Sequence, residues 1–259
     1  MEINLDVCKT IAVQRGLPLQ FVIKEFHLFE VLSQVASITA QENRKLIFKG
    51  GTALNKIYLK KGQRFSEDID FDFEEGNAYA YCKDLSGKIQ GYVMGNFRKV
   101  RKTTMFACEY ENPLGGKDHI RVDISDKKII TSSPIQTKSA VSEIVPGSVA
   151  GLRVYDLEDL VARKMNALCT RTEGKDAFDV HTSLPLCKEM GKAISAMLKS
   201  EEKDMSPGEF LALTLDAVKK ADFLKLRNYT NPFIPLAYRP GDWLELKNDL
   251  ILKLENLKV

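Results

Sequence analysis

The sequence has no long apolar run, because each of its apolar stretches is short and carries charges. A helix that crosses a bilayer needs about 20 mainly apolar residues, so no membrane span is predicted. The first residues, MEINLDVCKT, also lack the basic and then apolar order of a secretory signal. A cytoplasmic location without membrane attachment is therefore expected.

Cysteine and histidine are scarce. The chain has five cysteines, none in CxxC spacing, and only three histidines. Structural zinc sites and disulfide frameworks need such residues in pairs at characteristic spacings. Neither is expected, and buried free thiols are the preferred interpretation.

What the sequence does contain is typical of a globular protein with a substantial core. Its 259 residues are 44% hydrophobic and 28% charged, enough for one large domain or two ordinary ones. The net charge of +3 permits a phosphate-rich partner without requiring one. Basic residues concentrate in two places, residues 44–64 and the RKVRK segment at 98–102, although most such charges simply solvate a surface.

The pattern of apolar residues divides the chain near residue 150. Residues 18–41 have helical periodicity, and after Val154 helical patterns continue almost to the end. Between them lie strand patterns and one further helical stretch at 76–95. The strands are predicted in LIF, EDIDFDFE, RKTTMFACEYE, HIRVDIS and KKIITSS. We therefore predict an α/β (α+β) fold, with a mixed-sheet core over 1–150 and a helical domain over 151–259.

The EDIDFDFE strand places like charges together. Side chains alternate faces along a strand, so Asp68, Asp70 and Asp72 share one side and the apolar residues between them share the other. Carboxylates this close repel unless a cation lies between them, and Mg²⁺ or Mn²⁺ prefers such oxygen ligands. The alternative is the solvated outer face of an edge strand.

HIRVDIS supplies a further carboxylate, Asp123, whose apolar neighbours face the other way. If the two strands are neighbours, three carboxylates could hold two cations roughly 3.5–4 Å apart, as in-line phosphoryl displacement requires. Asp72 competes with Asp123 for the third position. The apolar flanks of Asp123 favour it, because a buried aspartate is costly without a cation.

Gly50-Gly51-Thr52 lies between the LIF strand and the helical run ALNKIYLKK. Helix N-termini attract anions, and glycine lets the backbone approach a phosphate closely. No GxxxxGK[ST] motif is present, so this is not a Walker A loop. Taken alone, the motif is weak evidence of function, because tight strand–helix turns explain most such cases.

The run FKGGTALNKIYLKKGQRFSEDIDFDF closely resembles the AbiEii/AbiGii-type nucleotidyltransferases, whose members include toxins of bacterial and archaeal toxin–antitoxin systems. The similarity extends over most of the chain, to about residue 180, beyond which only generic helices are visible. The family's GG[ST] loop, basic residue and SEDIDF-like strand are matched by Gly50, Gly51, Thr52, Arg64, Ser66, Asp68 and Asp70.

Two later family motifs also have counterparts. Lys164 matches a helical lysine, and residues 175–179 match [KR]DxxD. The resemblance implies that Lys164 contacts the triphosphate and that Asp176 or Asp179 has a catalytic or orienting role, with Asp176 favoured. The alternative is a set of salt bridges within the helix, such as Lys175 with Asp179.

The resemblance implies a metal-dependent transfer of a nucleoside monophosphate from an NTP to an acceptor hydroxyl. Asp68 and Asp70 would bind both Mg²⁺ or Mn²⁺ ions, and Asp123 the ion that activates the acceptor. The nucleotide would be held by Gly50, Gly51, Thr52, Arg64, Ser66 and Lys164.

The acceptor implied by the resemblance is RNA, particularly the tRNA 3′ end, and a cognate antitoxin is an implied partner. A small-molecule acceptor such as an aminoglycoside stays open, as does a non-catalytic relative that binds nucleotide or a partner. The base transferred, the oligomeric state and the role of residues 185–259 are not predicted.

Overall fold

A mixed sheet forms the centre of the fold. The computed structural model describes residues 3–43, 45–59, 61–74 and 76–259. Within them seven strands are formed: β1 (Leu46–Lys49), β2 (Asp68–Phe73), β3 (Val93–Val100), β4 (Thr103–Glu111), β5 (Lys117–Asp126), β6 (Gln136–Val141) and β7 (Ser148–Val154). Their order across the sheet is β3-β4-β5-β2-β1-β7-β6. β2 runs parallel to β5 and β1 parallel to β7, while the other neighbours are antiparallel.

Helices surround the sheet and form most of the second half of the chain. Their bounds are α1 (Leu5–Arg15), α2 (Leu19–Gln41), α3 (Gly50–Ala53), α4 (Ala78–Lys88), α5 (Leu157–Arg171), α6 (Gly174–Ser183), α7 (Met190–Ser200), α8 (Pro207–Lys220), α9 (Phe223–Thr230) and α10 (Trp243–Glu255). α3 continues without a break into a π-helical turn over Leu54–Tyr58, a feature often found at functional sites. Short 3₁₀ turns occupy Leu184–Leu186, Asn231–Phe233 and Leu236–Tyr238.

The predicted fold class, a mixed sheet followed by a helical half, is confirmed. The apolar stripe of the first predicted helix lies on α2, where Val22, Phe29 and Leu32 are buried. Full burial of such a side chain stabilises the fold by about 1.5–3 kcal/mol. Residue 150, the predicted end of the core, lies within β7, and the division into two domains stays a prediction.

The strand predicted in KKIITSS, residues 127–133, is wrong, because this segment has no regular structure. Two of its backbone N–H groups bind a side chain instead of a strand neighbour. The amides of Ser132 and Ser133 donate to the carboxylate of Asp159 in the first turn of α5, at 3.0–3.3 Å. A side chain of the helical half therefore takes the hydrogen bonds that a strand neighbour would have used.

The helix predicted over 76–95 is too long. α4 ends at Lys88, and Gly91 has φ +81°. Ile89 already has an extended backbone, and the left-handed conformation of Gly91, which glycine adopts at little cost, keeps the chain from resuming the helix. The chain then turns into the strand β3, which the sequence pattern did not show.

The basic cluster predicted at 44–64 is largely an internal one. Lys56 is buried in an ion pair with Glu25 of α2, and Lys49 pairs with Asp72. Lys56 therefore does not face a phosphate backbone, whereas Lys49 is partly exposed and lines a cleft. Arg44 and Lys60 lie outside the described residues. By contrast, residues 98–102 are exposed at the β3–β4 turn.

Candidate active site

Two acidic strands lie side by side at the centre of the sheet. β2 and β5 are parallel neighbours, and their register places Asp70 opposite Asp123 and Asp68 opposite Arg121. The apolar residues of β2 are buried on the other face. The alternation that the sequence suggested therefore brings carboxylates of both strands onto one surface, above the core.

Asp72, the competitor for the third carboxylate, has a different environment. Its Oδ1 accepts a hydrogen bond of 2.5 Å from Lys49 Nζ, and its Oδ2 accepts one of 2.6 Å from Tyr155 Oη. Burial raises its pKa, but the charge and hydrogen bond of Lys49 outweigh this effect and the pKa is lowered. Asp72 is thus an ionised anchor between β1, β2 and the end of β7.

The negative charges of Asp70 and Asp123 are less well compensated by neighbouring groups. Burial raises the pKa of Asp70, although Lys49 and Lys164 partly offset it. Burial and the adjacent charge of Asp70 raise the pKa of Asp123 to about 6. In addition, the buried Oδ1 of Asp123 has no hydrogen-bond partner. An unpartnered buried carboxylate oxygen costs free energy that a cation would recover.

Within the described residues, no three carboxylate, imidazole or thiol groups lie close enough to form a complete metal site on their own. Asp68 instead turns toward Arg121, whose Nη2 lies 2.6 Å from its Oδ2. The fit to a metal therefore rests on Asp70 and Asp123. This suits Mg²⁺, which commonly uses one or two carboxylates and completes its shell with water and substrate phosphates.

The two glycines that follow β1 face groups of opposite charge: Gly50 faces a carboxylate, and Gly51 faces two cations and a hydroxyl. A Cβ atom on Gly50, which has φ +76°, would lie 2.1 Å from Asp70 Oδ2. A Cβ on Gly51 would lie 2.6 Å from Arg64 Nη2, 3.3 Å from Ser66 Oγ and 3.4 Å from Lys164 Nζ. Side chains at these positions would fill the space that separates the carboxylates from the cations.

Thr52 fixes this loop to β2. Its Oγ1 hydrogen-bonds to Ser66 Oγ at 2.8 Å and to the carbonyl oxygen of Asp68. Asn55 adds a second link, because its Nδ2 donates to Gly51 O at 2.9 Å and its Oδ1 accepts from Arg64 N at 2.9 Å. The loop is therefore held in place by side chains on both sides.

Buried aspartates hold the side chains of Lys164 and Arg64 next to the loop. Arg64 donates to both oxygens of Asp179, at 2.8 and 2.6 Å. Lys164 Nζ lies 2.7 Å from Asp176 Oδ1 and 3.0 Å from Asp179 Oδ2. Burial lowers the pKa of Lys164, but the charges of Asp179 and Asp176 outweigh this effect and raise it, so the amine remains a cation inside the protein.

Asp176 and Asp179 are both fully buried, and they differ in position. Asp176 lines the cleft and also accepts hydrogen bonds from Arg171 at 2.7 and 3.1 Å. Burial raises its pKa, but Lys164 and Arg171 outweigh this and lower it to about 2. Asp179 lies behind the cations. The ion pair considered between Lys175 and Asp179 is not the one formed, since Lys175 Nζ lies 3.3 Å from Glu67.

These groups line one cleft of about 750 Å³ between the sheet and α5. It includes every predicted site residue except Thr52, which lies just behind the loop. Sequence patterns did not single out Arg121 or Arg163, which also line it, and they indicated Lys49 only as part of the basic cluster at 44–64. Arg121 was accessible to sequence reasoning, because it is two positions before Asp123 and shares its face.

Comparison with known protein families gives a match over most of the chain. Residues 34–253 match the family model described as nucleotidyl transferase AbiEii toxin, type IV toxin–antitoxin system. The chain belongs to the AbiEii family. This AbiEii protein is thus a nucleotidyltransferase enzyme and a toxin of a toxin–antitoxin system. Membership implies an NTP substrate and an antitoxin partner.

Solved structures show the same fold at low sequence identity. MenT4, a nucleotidyltransferase toxin of Mycobacterium tuberculosis H37Rv, is 15% identical, with a TM-score of 0.67 over 99% of the AbiEii chain and 91% of its own. JHP933 of Helicobacter pylori is 19% identical, with a TM-score of 0.51 over 92% of each chain. No curated protein matches the sequence. Among the described helices of the AbiEii protein, none has the length and apolarity that a bilayer crossing requires.

Proposed function

We propose that this toxin uses divalent metal ions, Mg²⁺ or Mn²⁺, to transfer a nucleoside monophosphate to the 3′-terminal hydroxyl of an RNA, with tRNA as the favoured acceptor. The observation that carries the proposal is the position of Gly50 and Gly51. One faces the carboxylates and the other faces Arg64, Ser66 and Lys164, so a triphosphate on this loop would have anion-binding groups on one side and metal ligands on the other.

Asp70 and Asp123 would hold the metal, with Asp68 joining them once it is free of Arg121. The unpartnered Oδ1 of Asp123 and the raised pKa of both carboxyls are what a site built for a cation shows in its absence. Bound Mg²⁺ supplies a lowered pKa for the attacking hydroxyl and positive charge for the leaving pyrophosphate.

Gly50, Gly51 and Ser66 would form the seat of the β- and γ-phosphates, where backbone and hydroxyl groups replace water, and Thr52 would hold this seat in place from behind. Arg64 and Lys164 would place positive charge where the leaving pyrophosphate develops negative charge. Asp176 accepts hydrogen bonds from Lys164 and Arg171 and would orient both of these side chains. Asp179 would do the same for Arg64 from behind.

An RNA acceptor is supported by the basic groups at the rim of the cleft. Lys24, Lys127 and Lys175 line it, each also in an ion pair with an acidic residue at 2.8–3.3 Å, and the exposed segment 98–102 adds further positive charge. Such residues attract a phosphate backbone independently of sequence.

The test is an assay with each α-labelled NTP and three acceptors: total tRNA, the same tRNA oxidised with periodate, and an aminoglycoside. We expect label on intact tRNA only, because oxidation destroys the terminal hydroxyls. Label on the aminoglycoside would replace the RNA proposal with a small-molecule one. Nucleotide binding without pyrophosphate release would contradict catalysis altogether. Mass spectrometry of cellular RNA after controlled expression would then identify the base.

A further inference from the structure

Arg121 lies among the carboxylates that the proposed function assigns to the metal. Its Nη2 is 2.6 Å from Asp68 Oδ2, and its Nε is 3.2 Å from Asp123 Oδ1. Asp123 is in turn the register neighbour of Asp70. The guanidinium thus bridges two strands at the place where a cation would neutralise the same side chains.

Arg121 makes a well-aligned hydrogen bond to Asp68 but not to Asp123. Nη2 makes a short hydrogen bond to Asp68, but Arg121 Nε and Asp123 Oδ1 are both buried without a hydrogen-bond partner. The contact with Asp123 is therefore one of charge without the alignment that a strong pair requires. Burying these two atoms without a hydrogen bond costs free energy, and a cation that binds the Asp123 oxygen would recover part of it.

The Arg121 side chain can also move away from the carboxylates. Its side chain is 40% exposed and lines the cleft, so rotation about its own side-chain bonds can carry the guanidinium into solvent. It cannot yield its place by losing a proton, because arginine stays charged at all physiological pH values. A second cation among these carboxylates must therefore displace it.

We infer that Arg121 is a built-in competitor of the metal: it holds the cation position in the metal-free enzyme and must release Asp68 and Asp123 before the metal binds. The inference rests on the proposed function, since it takes Asp70 and Asp123 as metal ligands. It makes Arg121 a positioning residue that keeps the carboxylates together and sets the metal concentration at which the enzyme becomes competent.

The test is a titration of the full chain with Mn²⁺ in the absence of nucleotide. The electron paramagnetic resonance signal of the free ion measures how much Mn²⁺ is bound. Arg121→Gln removes the charge, and we expect it to bind Mn²⁺ at least about tenfold more tightly than the unaltered protein. Arg121→Lys keeps the charge and should stay within about threefold of it. Arg153→Gln is the matched control, because Arg153 is a partly exposed arginine of the same sheet paired with Glu74 outside the cleft. It should leave the affinity unchanged.

Unchanged or weaker Mn²⁺ binding by Arg121→Gln would overturn the inference, as would equal tightening by Arg121→Lys. Asp70→Asn separates this failure from failure of the proposed function. If Asp70→Asn does not weaken Mn²⁺ binding, the proposed metal site itself is wrong. If it does, but Arg121→Gln has no effect, the metal site stands and only the competition fails.

Nuclear magnetic resonance gives a second readout that does not depend on the Gln variant folding. The Arg121 Nε–Hε signal, assigned by its loss in Arg121→Lys, should shift when Mg²⁺ is added to the unaltered protein. A signal that stays in place while Mg²⁺ binds would show that the guanidinium is not displaced, and would overturn the inference.

Discussion

Arg64 and Asp179 lie 115 positions apart in the chain, yet they form a two-pronged ion pair with distances of 2.8 and 2.6 Å. Arg64 is 3% exposed and Asp179 fully buried. The pair joins the loop before β2 to α6, and through Asp179 it also reaches Lys164 on α5. The sheet and the helical half are thus connected at the predicted phosphate seat.

Asp179→Asn should lower both stability and nucleotide affinity. Loss of one partner from a buried ion pair costs about 3–5 kcal/mol, and here Arg64 and Lys164 both lose charge compensation. Denaturant unfolding and NTP binding measure the two effects. Asp249→Asn is the control, because Asp249 pairs with His181 and Lys253 at the surface and should cost less than about 1 kcal/mol. Equal effects of the two variants would refute this role of Asp179.

Asp70→Asn should abolish nucleotide transfer without lowering stability. Burial raises the pKa of Asp70, so its negative charge weakens the metal-free fold, and a neutral amide of the same shape removes that cost. We expect transfer to fall at least about a hundredfold with an equal or higher melting temperature. Asp72→Asn, which leaves Lys49 without its carboxylate partner, should instead lower the melting temperature. Near-normal transfer by Asp70→Asn would rule out its assigned role.

Gly50→Ala should disable the site through a steric effect. The added Cβ would lie 2.1 Å from Asp70 Oδ2, so the carboxylate must move, and we expect transfer to fall at least about a hundredfold. Gly91→Ala is the matched control. Gly91 has a similar φ of +81°, but an added Cβ would meet no described atom within 4 Å. It should cost about 1 kcal/mol of stability and leave transfer intact, whereas equal losses of transfer would point to backbone strain alone.

Asp176 should account for part of the stability that the protein loses in acid. Its pKa is lowered to about 2 in the folded state, from about 3.9 in an unfolded chain. The stability it contributes is therefore present above pH 4 and is lost as the pH falls from about 4 to about 2. Asp176→Asn should lower the free energy of unfolding by about 2 kcal/mol at pH 7 and flatten its decline in this range. Urea unfolding at a series of pH values measures both, and an unchanged acid slope would contradict the assignment.

Much of the site could be predicted because its signals are local. Alternation along EDIDFDFE and HIRVDIS places Asp68, Asp70 and Asp123 on defined faces, and GGT between a strand and a helix indicates an anion-binding turn. Sequence could not supply the register, which decides that Asp70 and Asp123 are opposite one another. It also left Asp72 open, because the Tyr155 hydroxyl that fixes it lies 83 positions away.

The failures have a common cause in long-range contacts. KKIITSS has the composition of a strand, but Asp159 of a distant helix takes its amides. The basic residues between 44 and 64 resemble a surface patch, but Glu25 and Asp72 draw two of the lysines inward. Charge counted along the chain does not show which charges are already matched.

Asp176 and Asp179 hold Lys164 and Arg64 in place through buried ion pairs, so a triphosphate bound at the proposed seat would meet cations whose side chains are already ordered. Little side-chain freedom remains to be surrendered on binding. The proposed seat would thus be formed before its substrate binds, and discrimination between nucleotides would come from other parts of the cleft.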